Sequence, residues 1–163
     1  MPLVVTDANS ILDFAAAGLL EDIFHLPQCE FFVPDTLYVE ELADHHGVLP
    51  GLGLKVQPQS AEAVQYVTEL CLRYRGPSIN DLFTLALART LRCMLLSGDA
   101  SLRAAAAAEG IEVNGALWLI EALLRDGFVP LERVAEACEG IRRDGGRLSW
   151  EKVQAQIKHW REV

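Results

Sequence analysis

The chain predicts an α/β fold, a short and mostly parallel central sheet with helices on both faces and further helices at the C-terminal end. Two observations predict it. Short apolar runs such as Leu3-Val4-Val5, Phe31-Phe32-Val33 and Met94-Leu95-Leu96 have the length and composition of buried strands. Between them lie segments with helical spacing, and strand and helix alternate through residue 113. That alternation implies right-handed crossovers between parallel strands.

Taken in order, Leu3 to Thr6 reads as a strand, and Asp7-Ala8-Asn9-Ser10 supplies the residue types that leave a strand and cap a helix. Ile11 to Ala17 is that helix, closed near Gly18. Glu30 to Val33 is the next strand, ended by Pro34, which lacks an N–H for a ladder; Asp35 to Asp44 is a helix. His45 to Pro58 has Gly and Pro at short intervals and reads as a loop, with one short strand at Leu54 to Val56. Ser60 to Arg73 has helical spacing, Gly76-Pro77-Ser78 breaks it, and Ser78 caps a helix over Asn80 to Leu91. Cys93 to Leu96 is a strand with Ser97-Gly98-Asp99 as its exit turn. An Ala-rich helix from Ser101 to Glu109 stops at Gly110, and Ile111 to Val113 is a last strand. Gly115 to Leu124, Leu131 to Arg142 and Ser149 to Trp160 are three more helices. Asp126-Gly127 and Asp144-Gly145-Gly146 separate them, and Leu148-Ser149-Trp150-Glu151 reads as an N-cap with an apolar residue before it.

With 163 residues and 51% apolar content the chain can bury one core, so residues 1–163 are expected to form a single domain. No apolar run reaches the roughly 18 to 20 residues of a membrane span, and no basic region with a cleavage site opens the sequence, so a soluble, cytoplasmic protein without a membrane partner is expected. Cys29, Cys71, Cys93 and Cys138 form no CxxC pair and lack a nearby His pair, so they are expected to be reduced core thiols. His25, His45, His46 and His159 show no metal spacing. A net charge of −9 argues against broad electrostatic adhesion to nucleic acid. It does not exclude a nuclease, because a cation bound by carboxylates reverses the local sign.

Four acids stand out by position. Asp7 and Asp99 follow two strands, and Glu41 and Asp81 lie in helical stretches. In open α/β sheets the crevice outside the carboxyl ends of the strands is where ligands bind, so two strand-exit aspartates would converge there and repel without a cation. Singly, each acid is explained by a helix cap, a first-turn charge or a solvated face. Asn9 and Ser97 put a neutral oxygen beside each strand-exit carboxylate, a donor set of hard oxygens that suits Mg2+ or Mn2+. Arg73, Arg75, Arg89, Arg92 and Arg103 could line an RNA path, though solvated helix faces explain them equally well. Trp118, Trp150 and Trp160 are better explained by packing than by base stacking.

Three segments carry a resemblance: Val4-Val5-Thr6-Asp7-Ala8-Asn9-Ser10-Ile11-Leu12, Asn80-Asp81-Leu82-Phe83-Thr84-Leu85-Ala86-Leu87-Ala88, and Leu95-Leu96-Ser97-Gly98-Asp99-Ala100-Ser101-Leu102-Arg103. In this order they resemble the PIN domain, over roughly residues 3–120. The resemblance implies a three-layer α/β/α fold with a core of about 1–120 and a C-terminal helical extension of about 121–163. It also implies a metal-dependent ribonuclease, with Asp7, Asp81 and Asp99 matching the family's first, third and fourth acids. The second acid is a choice between neighbours. Glu41, with Leu37, Val39 and Leu42 around it, fits the family's apolar pattern better than Glu40, which another acid follows. Asn9 or Ser10 resembles the small polar residue accompanying the first Asp, and Ser97 the hydroxyl residue before the last. Leu102 and Arg103 stand where some members carry a further acid. By resemblance the cofactor is Mg2+ or Mn2+, one ion or two about 3.5–4 Å apart, activating water for attack on a phosphodiester. A VapC-like toxin of a type II pair, with an antitoxin partner and a homodimeric state, is the implied setting.

Other readings fit less well. A DxDx[TV] phosphotransferase needs an acid where Asn9 stands, and a phospho-receiver domain needs a strand-exit lysine that Lys55, Lys152 and Lys158 do not supply. A catalytically silent PIN-like protein-binding module is the stronger rival.

Overall fold

Successive strand residues point to opposite faces of a sheet, and here apolar side chains fill both faces. The computed structural model describes residues 3–127, 129–143 and 150–162. Strands β1 (Leu3–Thr6), β2 (Glu30–Pro34), β3 (Lys55–Gln57), β4 (Met94–Leu96) and β5 (Val113–Asn114) form one all-parallel sheet in the order β3-β2-β1-β4-β5. Val5 lies between Phe32 and Leu95 in register. The chain leaves β1 towards β2 on one side and returns to β4 on the other, so a topological switch point falls between β1 and β4. The carboxyl ends of those two strands therefore face an open crevice.

Helices cover the two faces as α1 (Ala8–Ala16), α2 (Leu20–Phe24), α3 (Asp35–Leu37), α4 (Leu49–Leu52), α5 (Ala61–Arg73), α6 (Ile79–Leu91), α7 (Ala100–Ala108), α8 (Ala116–Arg125), α9 (Leu131–Arg143) and α10 (Trp150–Glu162). Val4, Phe31, Val33, Met94 and Leu96 pack with Ile11, Phe14, Leu119, Ile120 and Val134 on one face. Val5 and Leu95 pack with Leu70, Leu82, Leu85, Leu102 and Ala106 from α5, α6 and α7 on the other. The result is the expected three-layer α/β/α arrangement. Among the described residues no helix is long and apolar enough to cross a membrane.

Several details differ from expectation, each for a local reason. The helix expected over Asp35 to Asp44 holds α-helical geometry only to Leu37 and continues as a π-helical turn, Tyr38–Leu42, closed by an Ala43 N–H donated to the Tyr38 carbonyl at 2.8 Å. The wider turn lets Leu37 and Leu42, five residues apart, both be buried, which α-helical spacing would not. The loop after it contains α4, with Pro50 in its first turn and Gly53 ending it at φ 127°, a backbone state that favours glycine. Buried Leu54 closes α4 through its N–H, so β3 starts one residue later than expected. Likewise the Ile111 N–H closes α7 on Ala106, and the last strand runs over Val113–Asn114 rather than Ile111 to Val113. Helix α2 was not expected, since five residues are too few for a periodic signal.

All four cysteines are free. Cys138 is buried and Cys29 and Cys93 half-buried, but Cys71 is exposed on α5, so it is no core thiol. Burial pushes the Cys93 and Cys138 thiols up to about 11, which keeps them protonated and inert. Trp118 and Trp160 pack against the first core. The expected Asp144-Gly145-Gly146 break and the cap at Leu148-Ser149 lie outside the described residues.

Candidate active site

β1 and β4 end side by side, with Thr6 paired to Leu96 and the Asp7 N–H donated to the Leu96 carbonyl at 3.2 Å. Asp7 leaves the strand in an extended conformation and caps α1, accepting the Ser10 N–H on Oδ1 at 2.9 Å. Its other oxygen, Oδ2, accepts the Ser97 hydroxyl at 2.6 Å, and the carboxylate is only 2% exposed. Ser97 is fully buried, and its Oγ accepts the Asp99 N–H at 3.1 Å. One hydroxyl thus joins the two strand-exit aspartates. Asp99 caps α7, with the Ser101 N–H and hydroxyl both donated to Oδ1 at 2.9 Å. Of the smaller polar candidates, Ser10 is buried beside Asp7 while Asn9 is exposed on the first turn of α1.

Asp81 reaches the same edge from the N-terminus of α6. Ser78 Oγ accepts the Asp81 N–H at 3.1 Å and Asp81 Oδ2 accepts the Ser78 N–H at 3.2 Å, a capping box that orients the carboxyl. Burial pushes the Asp81 carboxyl above its ordinary value, the Ser78 bonds oppose this, and the charges of Asp7 and Asp99 add to the rise. Glu41 sits on the π turn. Partial desolvation raises it, the Asn80 amide opposes that, and the charges of Asp81, Asp7 and Glu40 raise it further. Asp7 therefore acts on both Asp81 and Glu41, and Asp99 acts on Asp81. The four acids expected to converge share one electrostatic neighbourhood, built from β1, the π turn, α6 and β4.

Two residues were not anticipated. Asn80 Nδ2 donates to Glu40 Oε2 at 2.8 Å and to Glu41 Oε2 at 3.0 Å, so both candidates for the second acid face the same amide. Arg103, on the first turns of α7, donates Nη1 to the Ser97 carbonyl at 2.9 Å. Gly115 gives that guanidinium room, since a Cβ there would stand 3.1 Å from Nη1. Asn80 had a faint sequence signal, an amide directly before an acid. Arg103 had only its place four residues after Asp99.

Whether these residues suit a divalent cation can be judged from the donors. Hard carboxylate oxygens from four elements, with Asp81 and Glu41 raised in part by their neighbours' charges, form the environment that a divalent cation relieves. Among the described residues no three His, Cys, Asp or Glu side chains are drawn together as a finished ion cage. Glu41 accepts from Asn80, Asp81 from Ser78 and Asp99 from Ser101, so each carboxylate has one oriented protein donor. The donor chemistry fits such a cation.

The arginines on α5 and α6 lie elsewhere. Arg73 pairs with Glu109 at 2.9 Å, and Arg89 stacks 4.0 Å over the Tyr66 ring. A 630 Å³ groove lined by Tyr66, Glu69, Arg89 and Arg92 contains none of the four acids.

A family model described as a PIN domain matches residues 3–162. No curated protein matches the chain.

Proposed function

The chain belongs to the PIN-domain family, a nuclease-type fold family, and from that premise we propose that it is a metal-dependent endoribonuclease hydrolysing RNA phosphodiester bonds. The observation that carries this reading is the Ser97 hydroxyl that joins Asp7 to Asp99 at the switch point between β1 and β4, with Asp81 raised in part by the charges of both. The assigned acids are Asp7, Glu41, Asp81 and Asp99, with Ser97, Ser10 and Asn9 in support.

A divalent cation, Mg2+ or Mn2+, would supply Lewis acidity and water activation when bound. The protein's own part is positioning. Asp7 is fixed by two hydrogen bonds and a strand end, which makes it the anchor of the site. Asp99 is held to it through Ser97. The carboxyls of Asp81 and Glu41 are raised chiefly by burial and further by neighbouring acids, a charge crowding that a bound cation would relieve. Arg103 fixes the Ser97 carbonyl and so the exit turn carrying Asp99.

The toxin role of a type II pair is the finer reading, with an antitoxin as partner and a homodimer as the working form in the cytoplasm. Exposed Val39 and Ile79, 65% and 62% accessible, directly precede Glu40 and Asn80 in the chain and offer apolar surface that a neutralising protein would cover. Residues 1–163 act in this reading as one domain with a helical extension from about 121. A catalytically silent protein-binding module is the second reading, favoured by the lack of a finished ion cage among the described residues. End-labelled RNA incubated with purified protein separates the two. Fragments that form with Mn2+ or Mg2+ and vanish with EDTA support the nuclease; intact RNA under every divalent condition supports the silent module.

A further inference from the structure

We propose that Asn80 is a positioning residue of this site, whose amide ties Glu40 and Glu41 together on the π turn so that a carboxylate pair serves the second-acid position. The inference deepens the nuclease reading and rests on it for its functional meaning. Its content rests on geometry.

Adjacent residues on a regular helix point roughly 100° apart, so neighbouring glutamates ordinarily diverge into water. Here they do not. The chain widens into a π turn over Tyr38–Leu42, a departure frequent at functional sites, and both carboxylates meet one nitrogen at 2.8 and 3.0 Å. A side-chain amide carries two N–H donors, so each glutamate takes one and the nitrogen is saturated. Two like charges brought to one donor repel, whereas two exposed glutamates free to turn away would be solvated without that cost.

The amide itself stands on a rigid base. Asn80 lies in the first turn of α6, beside the Ser78 capping box, and buried Thr84 donates its hydroxyl to the Asn80 carbonyl at 2.8 Å. Asp81, the next residue, belongs to the same acid neighbourhood. Asn80 therefore couples the second-acid position to the third through one helix end. The pair also accounts for the ambiguity between Glu40 and Glu41 in the sequence, since both meet the same amide.

Calorimetric titration of the full chain with Mn2+ alone, paired with melting temperature in the absence of divalent ions, tests this. Asn80→Ala and Asn80→Ser should each weaken Mn2+ affinity by about tenfold or more, the range seen when partners of metal ligands are removed. Asn80→Ser keeps a small polar side chain at the helix end, so it covers the case in which the alanine variant folds poorly. Glu40→Gln should weaken affinity too, because Glu40 belongs to the pair. Melting temperatures should stay close to the wild type. Unchanged Mn2+ affinity in both Asn80 variants, whether or not melting falls, reduces Asn80 to a structural stitch and overturns the inference. Unchanged affinity in Glu40→Gln overturns the pair. Wild-type protein that shows the expected Mn2+ pattern yet cuts no RNA removes the nuclease reading and leaves Asn80 standing. RNA cleavage that Asn80→Ala leaves intact does the reverse, and wild-type protein that binds no Mn2+ overturns both.

Discussion

At the scale of single residues, Ser97 is the hinge of the site, because its hydroxyl donates to Asp7 and accepts from the Asp99 N–H inside the protein. Ser97→Ala leaves a buried carboxylate oxygen without its donor, a loss of about 1–3 kcal/mol. Urea titration at neutral pH should show it as a lowered midpoint with an unchanged slope. Asp81→Asn should do the opposite. Its carboxyl is raised in the folded state, so its stabilising contribution is fully present below its ordinary value of 3.8 and is lost as pH rises through the raised folded value. At pH 7 the ionised group therefore strains the fold, and asparagine, which can still accept the Ser78 N–H, should melt higher than wild type. Melting curves from pH 7 downwards should converge as the pH approaches 3.8, and a variant that melts lower at pH 7 would contradict the charge crowding. Asp7 and Asp99 were legible as candidates because a strand exit is a local pattern. Asn80 was not, because its meaning comes from Glu40 and Glu41, which only the fold brings to it.

Among elements, α5 and α7 show how charge holds the second helical layer together. Glu109, at the end of α7, accepts the Tyr66 hydroxyl at 2.8 Å, the Tyr74 hydroxyl at 2.7 Å and Arg73 Nη1 at 2.9 Å. The Tyr74 bond is the first cause that holds its carboxyl below 4.5; burial opposes this, and Tyr66 and Arg73 add to the lowering. Tyr66 is pushed up to about 12, chiefly by burial and then by Glu109. A depressed carboxyl contributes stability above its ordinary value and loses it as pH falls through the folded one. Glu109→Ala should therefore cost about 1 kcal/mol at pH 7, discounted for the half-exposed Arg73, with the difference shrinking below pH 4.5. A constant difference from pH 7 to pH 3 would contradict the clamp. Longer elements such as α5 and α6 were readable because Ser60 and Ser78 mark their starts and apolar spacing runs through them. The π turn was not, since Leu37 and Leu42 fit neither a helical nor a strand period until both are seen to be buried. α2 and α4 were hidden by brevity, and the ends of β3 and β5 by the backbone bonds that close the helices before them.

For the whole molecule, the order β3-β2-β1-β4-β5 decides where a crevice opens, since it places the carboxyl ends of parallel β1 and β4 beside each other where the order of strand addition switches sides. With a net charge of −9 the protein has no general electrostatic attraction for RNA, so the proposed function needs a cation to admit phosphate at this edge. Helix on both faces could be read from the alternation of apolar runs and helical spacing, and Val4 and Val5 entering opposite cores show why so few strand residues were enough. The convergence of four acids required the sheet order, which no local pattern carries. Single-turnover cleavage of end-labelled RNA with Mn2+ tests the central claim most directly, comparing wild type with Asp7→Asn at matched folding by circular dichroism. Cleavage by wild type and at least a hundredfold slower cleavage by Asp7→Asn is the outcome expected. Equal rates in the two proteins, or no cleavage by wild type, would contradict it.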